Sequence, residues 1–266
     1  MAKVAVIMGV YNGAGYVARS IESILNQTYQ DFELIICDDA STDNTVKIIK
    51  DYAVNDSRIK LLINNDNSKL AYSLNRCILE SDSEFIARMD DDDISHRNRL
   101  EVQVDFLERN LKYDLVGTSC NLYDQNGVWG KNIYDGVRTR IDIFRRKTFI
   151  HPSILMRREC ITRVGGYSTD CRYERVEDYE LWVRLYAMGN MGYNLPDILL
   201  DYYEDVASYK KRKYKYRINE FIIKWEARKR LQLPPLYVWE CFKPLVVGLI
   251  PIRIMRKIRA NKFSNK

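Results

Sequence analysis

The 266-residue chain is 46% hydrophobic and 29% charged, the proportions of a soluble globular protein with one substantial core; no window of roughly 18 uninterrupted apolar residues offers a membrane span. Its six cysteines (Cys37, Cys77, Cys120, Cys160, Cys171, Cys241) lie far apart with no Cys-x-x-Cys, which excludes a zinc scaffold and fits a reducing compartment. The net charge of +6 hides an asymmetry: residues 209–266 hold 17 Lys and Arg against 3 Asp and Glu, a net +14, while residues 1–208 carry −8.

Lys3–Val10 is a nearly continuous apolar run rich in β-branched residues, the pattern of a strand covered on both faces. With a strand starting there, no secretory signal is expected. Tyr11-Asn12-Gly13-Ala14-Gly15 breaks the run, and Val17, Ile21, Ile24 and Leu25 form a helical stripe. Phe32–Cys37 reads as the second strand, ending in Asp38-Asp39-Ala40-Ser41-Thr42-Asp43. There Ser41 or Thr42 suits a helix N-cap and Asp43 the first turn. A helix through Val46, Ile49 and Tyr52, a strand at Ile59–Ile63 and a helix from Leu70 to Ser81 follow. Strand Glu84–Met89 then runs into Asp90-Asp91-Asp92-Asp93. Strands alternating with helices imply right-handed crossovers and a mainly parallel sheet, so the fold class is α/β. A further helix is expected from Ser95, with His96, Arg97 and Arg99 in or near its first turn. Beyond it, Tyr113–Leu122 reads as strand, Arg138–Phe149 as helix and Cys171–Val176 as a mobile loop. Glu177-Asp178 opens an amphipathic helix whose apolar face is Leu181, Trp182, Leu185 and Tyr186.

Four adjacent carboxylates repel one another, and burying them without a counter-charge costs several kcal/mol. A hard divalent cation with oxygen ligands, Mg²⁺ or Mn²⁺, relieves that repulsion and also holds substrate phosphates. The cluster falls beyond the carboxyl end of a strand, where open α/β sheets bind ligands. The local alternative is a solvated acidic turn capping the next helix. Glu177 and Asp178 likewise have a structural reading, as complements to a helix dipole. A competing motif is Gly13-Ala14-Gly15-Tyr16-Val17-Ala18, which matches a dinucleotide fingerprint with Asp38 at the ribose position. Against it, Tyr11 and Asn12 separate the strand from the first glycine, and Asp90–Asp93 are left without a role.

The stretches Val6–Asn12, Glu33–Asp43, Arg88–Ser95, His151-Pro152, Gly165-Gly166-Tyr167 and Glu177–Trp182 together resemble the inverting glycosyltransferases of family 2, which have the GT-A fold. They stand in the family's order over roughly residues 3–205. The resemblance implies a UDP-sugar donor across the first half of the sheet, with Val10, Tyr11 and Asn12 lining the uridine site. It implies that Asp39 accepts a hydrogen bond from uracil with Asp38 in support. Asp90 would sit near the ribose or the metal's water shell, Asp91 in the variable slot of Asp-x-Asp, and Asp92 on the metal, Mn²⁺ or Mg²⁺. Asp178 would be the general base. His151 is a candidate further metal ligand, with a structural role as its alternative. Three positions depart from the pattern: Gly9 for proline, Asp91 in the variable slot, and Ala40 for glycine. With alanine at position 40, the turn there should not need φ > 0.

Residues 1–208 are expected to form the GT-A domain, with a nucleotide-sugar half (1–110) and an acceptor half (111–208). Residues 209–266 differ: Lys210–Lys213 opens a basic segment, a helix through Ile218, Phe221, Ile222 and Trp225 follows, and Trp239, Phe242 and the broken run Leu245–Ile254 supply apolar surface. Such a segment suits an element lying on an anionic membrane rather than nucleic acid. Its alternative is a set of helices packed on the body with a basic outer face. The expected whole is a cytoplasmic, membrane-peripheral, metal-dependent inverting transferase acting on a glycan, lipid-linked acceptor. The competing classes are a nucleotide-cofactor oxidoreductase and a catalytically silent relative.

Overall fold

The opening β-branched run becomes the middle of a sheet. A computed structural model describes residues 2–204 and 214–250. Its first half alternates β1 (Val4–Val10), α1 (Val17–Leu25), β2 (Phe32–Asp38), α2 (Thr45–Asn55), β3 (Ile59–Ile63), α3 (Leu70–Leu79) and β4 (Phe85–Arg88). There follow β5 (Ile94–Ser95), α4 (Arg99–Arg109), β6 (Leu115–Asp124), β7 (Gly127–Asn132), β8 (Gly136–Val137), α5 (Arg140–Phe144), β9 (Leu155–Arg157), α6 (Arg158–Arg163), α7 (Glu177–Ala187) and β10 (Gly192–Tyr203). The C-terminal helices are α8 (Tyr214–Arg230), α9 (Val238–Cys241) and α10 (Lys243–Gly248).

The strands run in the order β3-β2-β1-β4-β9-β6-β10-β5. β1 to β4 are parallel, β9 lies antiparallel to both β4 and β6, and β6 pairs with β10 in parallel. Chain order reverses at β1, so a crevice opens past the carboxyl ends of β1, β2 and β4. β1 is buried on both faces by strict alternation. Val4, Val6, Met8 and Val10 pack with α1, α2 and α4, whereas Ala5 and Ile7 pack with α3 and α7. Trp182 and Leu181 of α7 anchor the second layer, and Ile223 and Ala227 of α8 join the same cluster. The C-terminal helices through Gly248 therefore rest on the body. The boundary near residue 208, Lys210–Lys213 and residues 251–266 lie outside the described residues.

Several expected boundaries move. The helix expected from Ser95 starts at Arg99, because Ile94 and Ser95 are drawn into a ladder with Asp201 and Leu200. The second helix starts at Thr45 behind Asn44, with Asp43 accepting the Thr45 amide at 3.0 Å. Arg138–Phe149 holds only the five-residue α5, begun by a capping box between Thr139 and Asp142. The stretch expected to be a mobile loop is tied down. Cys171–Tyr173 is a 3₁₀ turn, Tyr173 and Val176 are buried, and the Tyr173 hydroxyl donates to Glu226 of α8 at 2.8 Å.

Candidate active site

The loops that follow β1 and β2 lock together. The amides of Asn12 and Gly13 donate to Ser41 Oγ and Thr45 Oγ1, both at 2.9 Å, and Asn12 Oδ1 accepts the Thr42 amide at 2.9 Å. Asn12 holds φ +53° and Ala40 φ +61°. The expectation for Ala40 was wrong: the turn is left-handed even without glycine, at a cost of about 1–2 kcal/mol. It is held there because Asp38 Oδ2 accepts the Ser41 amide at 2.9 Å while Thr42 is gripped by Asn12. Val10 is buried and Tyr11 exposed, so the shelf has an apolar floor and an aromatic lip. Asp39 is buried, with Oδ1 accepting from Asn64 (2.7 Å) and the Ser68 amide (2.8 Å) and Oδ2 from the Lys69 amide (2.9 Å). A carboxylate has about four acceptor sites, so one remains for a ligand N–H. Asp38 Oδ1 is buried with no hydrogen-bond partner.

The acid run past β4 divides. Asp90, Asp92 and Asp93 each present an oxygen within 4.8 Å of the others. Asp91 turns toward the first loop, so that a Cβ on Gly13 would stand 2.3 Å from its Oδ2. Buried Arg88 pairs with Asp90, which holds the guanidinium charged against its burial. Asp93 is fully buried; Oδ1 accepts the Tyr203 amide at 2.8 Å and Oδ2 has no hydrogen-bond partner. Burial, with Asp90 and Asp92 alongside, raises the Asp93 carboxyl well above the usual range. Burial also pushes Asp91 up to about 8, reinforced by Asp92 and Asp90. Ser20 Oγ fixes the loop by donating to the carbonyls of Asp91 (2.8 Å) and Asp93 (2.7 Å). An all-carboxylate donor set carrying one orphaned buried oxygen fits a hard divalent cation. Asp93 was absent from the sequence-derived ligand set; the only signal for it was its place in the run.

The second acid pair opens α7. Asp178 Oδ1 accepts the Tyr179 amide at 2.6 Å, and Glu177 Oε2 is buried without a hydrogen-bond partner. Burial, then the neighbouring Asp178 charge, pushes Glu177 up to about 7. Tyr167 is buried and feels the charges of Asp178, Glu177 and Asp90, with Arg88 opposing them. It is set by a left-handed Gly165-Gly166 turn (φ +79° and +75°), where a Cβ on Gly166 would meet Asn75 Oδ1 at 2.5 Å. His151 Nε2 pairs with the Tyr167 hydroxyl at 2.8 Å, outside the Asp90–Asp92–Asp93 group. Burial, aided by Arg88, keeps His151 neutral.

The family model described as Glycosyl transferase family 2 matches residues 5–165. EpsE of Bacillus subtilis (strain 168), provisionally assigned as a glycosyltransferase, is 41% identical over 265 residues, 99% of this chain and 95% of EpsE. The chain belongs to glycosyltransferase family 2. The O-antigen biosynthesis glycosyltransferase WbnJ of Escherichia coli is 33% identical over 82% of this chain and 92% of its own length. TarS of S. aureus, solved with UDP-GlcNAc, superposes with a TM-score of 0.70 at 17% identity, over 93% of this chain and 71% of that one. This family 2 glycosyltransferase therefore has the GT-A fold, and its acid-lined crevice is the candidate active site. Among the described residues no helix is long and apolar enough to cross a membrane.

Proposed function

We propose that this glycosyltransferase moves a sugar from a UDP-sugar, with inversion, to a glycan on a membrane lipid carrier during surface-polysaccharide assembly. The observation that carries the reading is the cluster of Asp90, Asp92 and Asp93 past β4, supported by a second acid pair, Glu177–Asp178 at the start of α7, whose charge reaches the same Tyr167 as that of Asp90. Residues 1–110 would hold the donor and 111–208 the acceptor. Val10, Tyr11 and Asn12 line the uridine, Asp39 accepts from its base, and Asp38 supports that loop. TarS binds UDP-GlcNAc on the same fold, and WbnJ acts in O-antigen synthesis, which favour this donor and product class.

Asp178 is the general base. Its Oδ1 is fixed by the Tyr179 amide, so the carboxylate is held in one rotamer. As the acceptor oxygen bonds to the anomeric carbon, its proton passes to Asp178 and the bond to the diphosphate breaks on the opposite face. UDP departs and the configuration inverts. Such base catalysis contributes on the order of 10²–10⁴-fold. Asp92 with Asp90 and Asp93 would hold Mn²⁺ or Mg²⁺, which when bound neutralises charge on the leaving diphosphate.

A thermal-shift screen of UDP-, GDP- and dTDP-sugars with and without Mn²⁺ tests the reading. A donor at about 100 times its Kd stabilises by about 2.7 kcal/mol, a rise of roughly 5–10 °C. A UDP-sugar should give that rise, and Asp92→Ala should remove the part that needs the cation. Stabilisation by a GDP- or dTDP-sugar instead would overturn the UDP assignment. Donor binding without transfer or donor hydrolysis would make it a silent relative.

A further inference from the structure

The C-terminal helices are apolar on two sides. On α8, Ile223 and Ala227 are buried against the body, whereas Ile218 and Trp225 are exposed on the opposite side. Trp225 belongs to a chain of ring contacts that bridges α8 to α9 and α10. Phe221 and Phe242 lie 5.3 Å apart, Trp225 and Phe242 6.4 Å, and Trp239 and Phe242 6.5 Å. This cluster opens to solvent: Trp239 is 81% exposed, and Leu236, Val246 and Leu249 keep most of their surface. A contiguous exposed patch of this kind marks an interaction surface.

Charge is sorted the same way. Each of the three acids of residues 209–266 is engaged by a residue of the body. Glu220 pairs with Arg146 (3.0 Å), Glu240 with Arg145 (2.7 Å), and Glu226 accepts the Tyr173 hydroxyl (2.8 Å). Glu220 and Glu226 also meet Arg217 (2.9 Å) and Arg230 (3.2 Å) of the segment, and Lys215 reaches Glu174 of the body (2.8 Å), yet 17 basic residues against 3 acids leave the segment a large basic excess. Exposed Lys229 stands one helical turn past Trp225, and exposed Lys243 follows Phe242. Interfacial tryptophans flanked by long basic side chains suit a bilayer surface, with rings at the acyl boundary and ammonium groups on phosphates.

We infer that the outer face of α8 to α10, centred on Trp225, Trp239 and Phe242, is a docking surface for an anionic lipid bilayer. This deepens the membrane part of the proposed function and rests on it. α8 packs on α7, whose first two residues are Glu177 and Asp178, so docking would set the catalytic base at a fixed height above the lipid.

Flotation of the full chain with vesicles tests this, using phosphatidylcholine alone and phosphatidylcholine with phosphatidylglycerol. The protein should float with the anionic vesicles, with tryptophan emission shifted to the blue, and less so at high salt as screening tightens. The exposed pair Trp225→Ser/Trp239→Ser should lower the partition coefficient about tenfold or more while the melting temperature and UDP-dependent shift hold. Lys229→Glu/Lys243→Glu should lose the preference for anionic vesicles. A wild type that ignores both vesicles overturns the surface and the membrane reading together, leaving UDP binding to judge the transferase separately. A double tryptophan variant that floats like wild type overturns the surface alone. A dimer in light scattering that the tryptophan variant abolishes would assign the face to a second copy and overturn the lipid assignment.

Discussion

Asp93→Asn should move stability in opposite directions with and without a divalent cation. Asparagine keeps the volume and the oxygen that accepts the Tyr203 amide at 2.8 Å, and replaces the charged carboxylate with a neutral amide whose nitrogen can donate. That charge lies within 4.8 Å of the carboxylates of Asp90 and Asp92. At an effective dielectric of about 20, one such pair repels by about 3 kcal/mol. Arg88 offsets part of this, and partial protonation of Asp93 caps the remainder. The chelated variant should therefore gain about 1–3 kcal/mol and melt roughly 2–10 °C above wild type. Saturating Mn²⁺ or Mg²⁺ should reverse the order, because wild type has three carboxylates to offer and the variant two. Scanning fluorimetry in chelator and then in excess cation reads both halves. A variant less stable than wild type in chelator, or equally stabilised by the cation, would refute the reasoning.

Asp178→Asn retains size and polarity but cannot take the acceptor proton, so turnover should fall by roughly 10²-fold or more with donor affinity kept. Normal turnover in that variant, with loss in Glu177→Gln, would hand the base role to Glu177. Glu177 also makes stability depend on pH. Its carboxyl is raised to about 7 in the fold against about 4.3 in a free chain, so the native state keeps a proton that the unfolded state releases. Stability should fall as pH rises between those values, by about 1–3 kcal/mol given the partial exposure of the side chain. In Glu177→Gln that share of the fall should vanish while the share from the raised Asp91 and Asp93 carboxyls stays, which urea melts of both proteins across roughly pH 4–8 would show. Gly13→Ala should cost about 1–3 kcal/mol, since its Cβ would meet Asp91 Oδ2 at 2.3 Å and Val10 Cγ2 at 2.8 Å. A variant as stable as wild type in urea would show that Asp91 does not rest on that glycine.

The first half was legible because its signals are local. β-branched runs at Val4–Val10 and Phe32–Asp38 and helical stripes between them give β1 to β4 without reference to the rest of the chain. What the sequence hid was nonlocal. Ile94 and Ser95 look like a helix start until β10 pairs with them. Asp93 looked like its three neighbours, and only the fold shows Asp91 turned aside to Gly13 and Asp93 joined to Asp90 and Asp92. The left-handed Ala40 cannot be read from an alanine, because its clamp comes from Asp38 and Asn12. On α8, apolar residues occur all round, so periodicity alone could not say that Ile223 faces the core and Trp225 the solvent.

The interlock between the loops after β1 and β2 also bears on how this protein can change over generations. Asn12 and Gly13 receive their partners from Ser41, Thr42 and Thr45, about thirty residues downstream. A substitution that reshapes one loop removes the other's hydrogen bonds, so neither can drift alone. A new shape in either loop therefore calls for matching changes in the other. The second half, whose β7 and β8 lie off the main strand path, is free of that constraint and open to single-step variation. Recombination between relatives should be tolerated best where a crossover keeps residues 4–64 from one parent, because that piece carries both sides of the lock.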